Sequence, residues 1–187
     1  MKITKLETMF VKPRWVFLKM HTDEGLVGWG EPIVEGWSRT TAQAVEDMGR
    51  YLIGKDPRRI EHHWQVLYRH AFYRGGPILC SALSGLEQAM WDIKGKALGV
   101  PVYELLGGKV RDRIRVYTHV GGGDPDACVA SGRSALDRGF TAVKTGLFDS
   151  VRFIETPGFV ERAVEKMAAL REGVGPDIDI GIDFHGR

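Results

Sequence analysis

From Lys2 to Glu31 apolar and polar positions alternate, with Val16-Phe17-Leu18-Lys19-Met20 and Leu26-Val27-Gly28-Trp29-Gly30 flanking the turn residues Asp23-Glu24-Gly25. A period of two over β-branched and aromatic residues predicts antiparallel strands joined by a hairpin. The period then becomes helical. Thr40 and Gln43 form a capping-box pattern ahead of Ala44, Val45, Met48 and Leu52, and Asp56-Pro57 caps a second stretch through Ile60, Trp64 and Leu67. A third helix follows Gly75-Gly76-Pro77. Its apolar positions Leu79, Leu83, Leu86, Met90, Ile93 and Ala97 recur every three or four residues until Gly99 and Pro101 end it. Strands followed by helices predict an α+β unit over residues 1–110.

After Gly107-Gly108 the pattern becomes strand, helix, strand, helix, strand. A strand from Ile114 to His119 leads to a helix from Asp124-Pro125 to near Gly139. Phe140 to Lys144 is strand again, about Pro157 to Glu172 is helix, and Ile178 to Phe184 is a strand expected to be buried. Crossovers of this kind make a parallel sheet, which opens either a doubly wound fold or a (β/α) barrel; periodicity alone does not separate the two. Gly121-Gly122-Gly123 lacks the GxGxxG spacing, and no acidic residue closes a following strand at the right distance, which argues against a dinucleotide loop.

The 187 residues are 43% hydrophobic, enough for a core, and carry 26 Lys and Arg against 24 Asp and Glu, with the signs interspersed. That balance argues against nucleic acid as a partner. The densest basic stretch, Lys109 through Arg115, is interrupted by Asp112 and reads as a solvated linker. The N-terminal residues Met1 to Lys5 lack the apolar stretch of a secretory signal, and no run approaches the roughly 18 apolar residues of a membrane span, so a soluble cytoplasmic protein is expected. Cys80 and Cys128 lie in apolar helical patterns without CxxC spacing and are expected to be reduced structural thiols. His62 and His63 are expected on an exposed helix face.

Candidate chemistry gathers at Asp183-Phe184-His185. On a strand, residues two apart face one side at roughly 6.5–7 Å, so a carboxylate and an imidazole would share a side at the carboxyl end of a parallel strand, where barrel enzymes build their sites. The bland alternative is that Asp183 caps the next loop while His185 lies on the surface. A hard ion such as Mg²⁺ takes six oxygens, so Asp183 alone would be one ligand of a set, and Glu155 falls in a loop rather than at a strand end. Lys144 closes the preceding strand and would stand at the same mouth, to neutralise a bound carboxylate or act as a base if desolvated. His119 closes the strand before that, and a lone histidine there is weak evidence.

The helix Ala82-Leu83-Ser84-Gly85-Leu86-Glu87-Gln88-Ala89-Met90-Trp91-Asp92-Ile93-Lys94-Gly95-Lys96, followed by Pro101-Val102-Tyr103-Glu104-Leu105-Leu106-Gly107, resembles the signature of the mandelate racemase/muconate lactonizing branch of the enolase superfamily. Ile180, Asp183 and His185 resemble the opening of that family's second signature. Within the branch, Arg14-Trp15, Thr22-Asp23-Glu24-Gly25, Gly28-Trp29-Gly30-Glu31-Pro32, Phe72-Tyr73-Arg74-Gly75-Gly76-Pro77-Ile78 and Asp183-Phe184-His185-Gly186-Arg187 look like the acid-sugar dehydratases of the galactonate type. The resemblance implies an α+β N-terminal capping domain over residues 1–110. Residues 111–187 would then be the first part of a modified TIM-type (β/α)7β barrel, truncated after its third strand. It also implies Mg²⁺ as cofactor with Asp183 as a ligand and His185 as the catalytic acid that protonates a departing hydroxyl. Lys144, from its place at the strand end, is expected to bind substrate, as are Arg14 and Trp15 on a capping-domain loop over the mouth, the alternative for the last two being an exposed hairpin edge. The remaining metal ligands and the base would come from strands beyond residue 187, and the full-length enzyme is expected to be a homo-oligomer acting on a small-molecule acid sugar. Gly146 stands where such relatives carry a second polar group, which weakens the assignment of substrate.

Two other readings compete. One keeps the family but makes Lys144 the base of a racemase, epimerase or cycloisomerase. The other treats the 187-residue chain as a non-catalytic fragment or interaction domain, inactive alone, whose exposed half-barrel would leave strand edges and apolar surface uncovered.

Overall fold

In a computed structural model that describes residues 1–12, 14–147 and 151–185, the alternating N-terminal segment forms β1 (Ile3–Val11), β2 (Trp15–Thr22) and β3 (Val27–Gly30). They make one antiparallel sheet in that order. Along β2 the side chains of Val16, Leu18, Met20 and Thr22 are buried while those between them are not, the signature of a sheet with one covered face.

The covering elements are α1 (Ser38–Leu52), α2 (Ile60–Arg69) and α3 (Gly76–Leu98), with the short α4 (Val102–Leu105) behind them. Ile3, Leu18, Met20, Val45, Leu52, Leu86, Met90 and Ile93 meet in one core. Pro77 opens α3 in its first turn, and Gly99 ends it in the left-handed conformation (φ 70°) that glycine adopts without a Cβ penalty. The contact of α3 with the sheet is backbone-close. A Cβ added at Gly28 would lie 2.0 Å from the Ala89 carbonyl oxygen, and one at Gly30 1.9 Å from that of Gly85. Two residues along a strand span nearly the rise of four residues of helix, so Gly28 and Gly30 face Ala89 and Gly85 in register.

The same helix satisfies the open edge of β3. The backbone N–H of Trp29 donates to Asp92 Oδ2 (2.9 Å) and that of Glu31 to Gln88 Oε1 (2.8 Å), while Lys96 Nζ donates to the Val27 carbonyl (2.7 Å). Edge groups that would otherwise template another strand are thus occupied.

Both expected helix caps are corrected. α1 starts two residues earlier, at Ser38, with no side-chain cap; Thr40 lies inside the helix and Gln43 Nε2 reaches Asp47 instead. α2 starts at Ile60, and the Asp56 carboxylate is taken by the backbone N–H and guanidinium of Arg58, a charged partner two residues away that outcompetes the helix N–H groups. His63 is also corrected: it is 2% exposed, with Nε2 donating to the Asp56 carbonyl (2.8 Å) and Nδ1 beside the Tyr51 hydroxyl (3.3 Å). Burial pushes its pKa down, against a smaller upward pull from that backbone bond. His62 is exposed. Cys128 is buried, whereas Cys80 sits on the exposed side of α3 near its start.

The chain divides into two compact units, Met1–Val110 and Arg111–Arg187. In the second, β4 (Thr118–His119), β5 (Ala142–Gly146) and β6 (Asp179–Asp183) form a parallel sheet in sequence order, connected by α5 (Pro125–Asp137) and α6 (Pro157–Val174). Asp124 caps α5 by accepting from the Ala127 N–H (2.8 Å). Val120, Cys128, Ala135, Val143, Leu170 and Val174 form its core.

Two expectations fail here. The strand expected from Ile114 to His119 contracts to two residues, because only Thr118 and His119 align with a partner, Val143 and Lys144, while Ile114 and Val116 are exposed. β6 is not buried: the helices cover only the face carrying Ile178 and Ile180, and Asp179, Gly181 and Ile182 remain exposed. At the amino ends of the strands Arg115 ties β5 to β6, donating to the Thr141 carbonyl (2.6 Å) and to Asp179 Oδ2 (2.5 Å).

Candidate active site at the carboxyl ends of the parallel strands

On β5 the buried residues Val143 and Thr145 point toward the helices, so Ala142, Lys144 and Gly146 point the other way. On β6 Ile178 and Ile180 take the helix side, which puts Asp179, Gly181 and Asp183 on the opposite face. Lys144 pairs with Gly181 and Gly146 with Asp183, so Lys144 and Asp183 are diagonal neighbours with no side chain between them. The Lys144 ammonium reaches Asp183 Oδ2 at 2.6 Å.

His185 does not continue the strand. β6 ends at Asp183, and His185 adopts a left-handed backbone (φ 49°) that folds the chain back on the carboxylate. Its N–H donates to Asp183 Oδ1 (2.9 Å) and its Nδ1 lies 2.6 Å from the same oxygen. The shared strand face expected from the sequence is therefore replaced by a direct carboxylate–imidazole contact, because a turn, not a pleat, carries the histidine. The loop-capping role set beside the catalytic one is also physically present: Asp183 accepts from a backbone N–H two residues on, an Asx turn.

The electrostatics follow. The Lys144 hydrogen bond, reinforced by the His185 N–H and the nearby charges, holds the Asp183 carboxyl at a pKa of about 2. The same bond raises Lys144 above its usual range. The ammonium also sits over the Tyr117 ring, 5.8 Å from its centroid, and Tyr117 meets His119 edge to face (5.7 Å). Tyr117 was not singled out in the sequence; its only signal there is its place two residues before His119. His119 itself is exposed beside Lys144. Glu155 accepts from the Arg152 N–H (2.7 Å) and takes no part in this cluster.

In the other unit Arg14 precedes β2, its guanidinium 5.3 Å from the Trp15 ring centroid and paired with Glu35 (2.9 Å). Gly186 and Arg187, quoted for the resemblance, lie outside the described residues. Among the described residues no group of three or more His, Cys, Asp or Glu side chains is placed to hold a metal ion. A carboxylate has about four lone-pair positions. Lys144, the His185 N–H and the His185 ring occupy three at Asp183, which leaves room for one bond to a hard cation and no more.

A profile of the mandelate racemase / muconate lactonizing enzyme N-terminal domain matches residues 4–107, more than half of the chain. The chain belongs to the mandelate racemase/muconate lactonizing enzyme family. Its first unit is that family's α+β N-terminal domain. All 187 residues are 54% identical to a D-galactonate dehydratase of Pectobacterium atrosepticum and correspond to 49% of that protein, so the chain spans about half the length of the curated relatives it matches. An enolase superfamily member from Salmonella Typhimurium superposes with a TM-score of 0.90 at 32% identity, covering 98% of this chain and 54% of that one. An enolase from Agrobacterium radiobacter, solved with Na and L-malate bound, superposes with a TM-score of 0.86 at 31% identity over 98% of this chain and 48% of that one. Among the described residues no helix of this family member is long and apolar enough to cross a membrane.

Proposed function

We propose that the full-length protein dehydrates an acid sugar of the D-galactonate type with Mg²⁺ as cofactor, and that residues 111–187 begin the (β/α) barrel that carries the reaction. The observation that carries this reading is the meeting of Asp183, Lys144 and His185 at the carboxyl ends of parallel strands, in a chain 54% identical to a D-galactonate dehydratase along its whole length. Asp183 is one oxygen ligand of the cation, and the others come from residues outside this chain. When bound, Mg²⁺ supplies positive charge to offset the enediolate formed by removing a proton next to a carboxylate.

The chain's own residues take two further parts. With Nδ1 committed to Asp183, His185 uses Nε2 to deliver a proton to the leaving β-hydroxyl. As the carbon–oxygen bond breaks, water departs and the resulting enol becomes a 2-oxo-3-deoxy acid. Lys144, held as an ammonium by Asp183, suits the binding of a substrate carboxylate and not proton abstraction. This weighs against the racemase or cycloisomerase reading with Lys144 as base. Arg14, stacked on Trp15, is the N-terminal domain's proposed contact for an anionic sugar acid.

The test is the full-length protein with D-galactonate and Mg²⁺, following 2-oxo acid. His185→Asn should lower dehydration by about 10²- to 10⁴-fold, the contribution of a positioned acid, while exchange of the substrate α-hydrogen with D₂O continues. Dehydration at the wild-type rate in His185→Asn would remove His185 from the reaction. Near-normal dehydration in Lys144→Ala excludes that residue as an essential base.

A further inference from the structure

The inward stripe of α6 runs Ala163, Lys166, Leu170, Val174, at helical spacings of three and four. Its second position is a lysine only 5% exposed. An ammonium at a core position is a costly choice where Leu or Met would fill the space, and it persists only with acceptors to receive its protons. The partners of Lys166 include two backbone carbonyls at the end of β5, those of Leu147 (3.1 Å) and Gly146 (3.4 Å).

Among the described residues that end of β5 is held from its own strand by Thr145, whose Oγ1 donates to the Gly146 carbonyl (3.1 Å), and from the helix side by Lys166. Its last residue is a glycine, and among the described residues a Cβ there would meet nothing nearer than the Asp183 carbonyl oxygen at 3.9 Å. Gly146 has no side chain of its own to pack there, and glycine is the residue with most freedom to leave such a conformation. Yet Gly146 pairs with Asp183, and Lys144, two residues earlier, makes the 2.6 Å bond to the same carboxylate. We infer that Lys166 is a positioning residue: from beneath the sheet its ammonium anchors the carboxyl end of β5 and so sets the place from which Lys144 reaches Asp183. A polar group in the core is offset by precision at the strand end, a pattern expected where a local rule is broken next to a functional site.

The kinetic part of this inference rests on the dehydratase reading, so the experiment has an arm that does not. In the full-length protein, Lys166→Met keeps the stem's bulk and removes the donors, while Lys166→Arg keeps charge and donors. Hydrogen exchange over residues 143–147 should quicken by about tenfold in Lys166→Met, with the helices unchanged, as local loosening requires. With D-galactonate and Mg²⁺, kcat should fall by about tenfold to a hundredfold with KM little changed, the scale of a misplacement of 1 Å or less. Lys166→Arg should recover most of both. Wild-type exchange over 143–147 in Lys166→Met would overturn the inference, and so would faster exchange spread evenly through α5 and α6, which would mark a core residue only. If the wild-type protein leaves D-galactonate untouched, the dehydratase reading fails while the exchange pattern still decides the place of Lys166.

Discussion

Gly30→Ala tests whether β3 and α3 are held at backbone contact. The new Cβ would lie 1.9 Å from the Gly85 carbonyl oxygen. Carbon–oxygen contacts in proteins settle near 3.3 Å, so strand and helix must part by about 1.4 Å. The helix cannot yield cheaply, since Leu83, Leu86, Met90 and Ile93 on its other positions are in the core. Overpacking of this kind costs about 1–3 kcal/mol. A shift of that size also carries the Trp29–Asp92 and Glu31–Gln88 bonds, now 2.9 and 2.8 Å, past hydrogen-bonding length, at about 1 kcal/mol each. The sum, about 3–5 kcal/mol, is a large part of the stability of an ordinary domain. For a unit of this size it lowers Tm by at least about 12 °C. Urea denaturation followed by far-UV circular dichroism reads the difference. The control is Gly25→Ala, where φ is +79° but nothing lies within 4 Å of the added Cβ, so only the left-handed backbone cost of about 1 kcal/mol applies. If Gly30→Ala proves no more destabilising than Gly25→Ala, the close-contact argument is wrong.

Carbon-13 NMR of Asp183 in Mg²⁺-free buffer should show its carboxyl titrating near pH 2 and, in Lys144→Met, moving up toward its ordinary 3.8 without reaching it, because the His185 N–H still donates; an unmoved titration would exclude the ion pair. Since that folded pKa lies below the unfolded one, the pair's contribution to stability is present above about pH 4 and is lost as pH falls toward 2. His63 has a lowered folded pKa, so stability should drop as pH falls below about 6.5, where the unfolded chain takes up the proton first. His63→Gln should flatten that part of the pH profile of urea midpoints, and an unchanged slope would assign it to another group. Ile114, Val116, Ile182 and Phe184 are exposed in the second unit, so the 187-residue chain should bind a hydrophobic dye and associate at concentrations of ~10 µM and above; a dye-silent monomer would contradict this.

The N-terminal sheet and the helix run were legible because their periodicities of two and of three to four report directly which face is buried. The cap assignments for Thr40 and Asp56 were not, because a short polar side chain has several nearby partners and the chain's path decides among them. Gly107-Gly108 marked the change of texture, but not that Ile114 to Tyr117 would stand outside the ladder, which depends on whether a neighbouring strand is aligned. The short-range pattern around His63 looked exposed, and only the return of Tyr51 and Asp56 to its ring shows why an imidazole is buried there.

By itself the sequence determined the order and type of the main elements, the family signature, and Asp183, His185 and Lys144 as candidates, since each follows from local spacing or from a motif. Tertiary structure decided what those features mean. The signature helix packs on the N-terminal sheet: Gly85, Gln88, Ala89, Asp92 and Lys96 form the stripe that approaches β3 and closes its edge. His185 meets Asp183 through a turn and not along a strand, Lys144 reaches the same carboxylate because Gly146 leaves the diagonal open, and Lys166 is buried beneath them. Distances between residues far apart in the chain are set by how the helices stack on the sheet, and no local period carries that information.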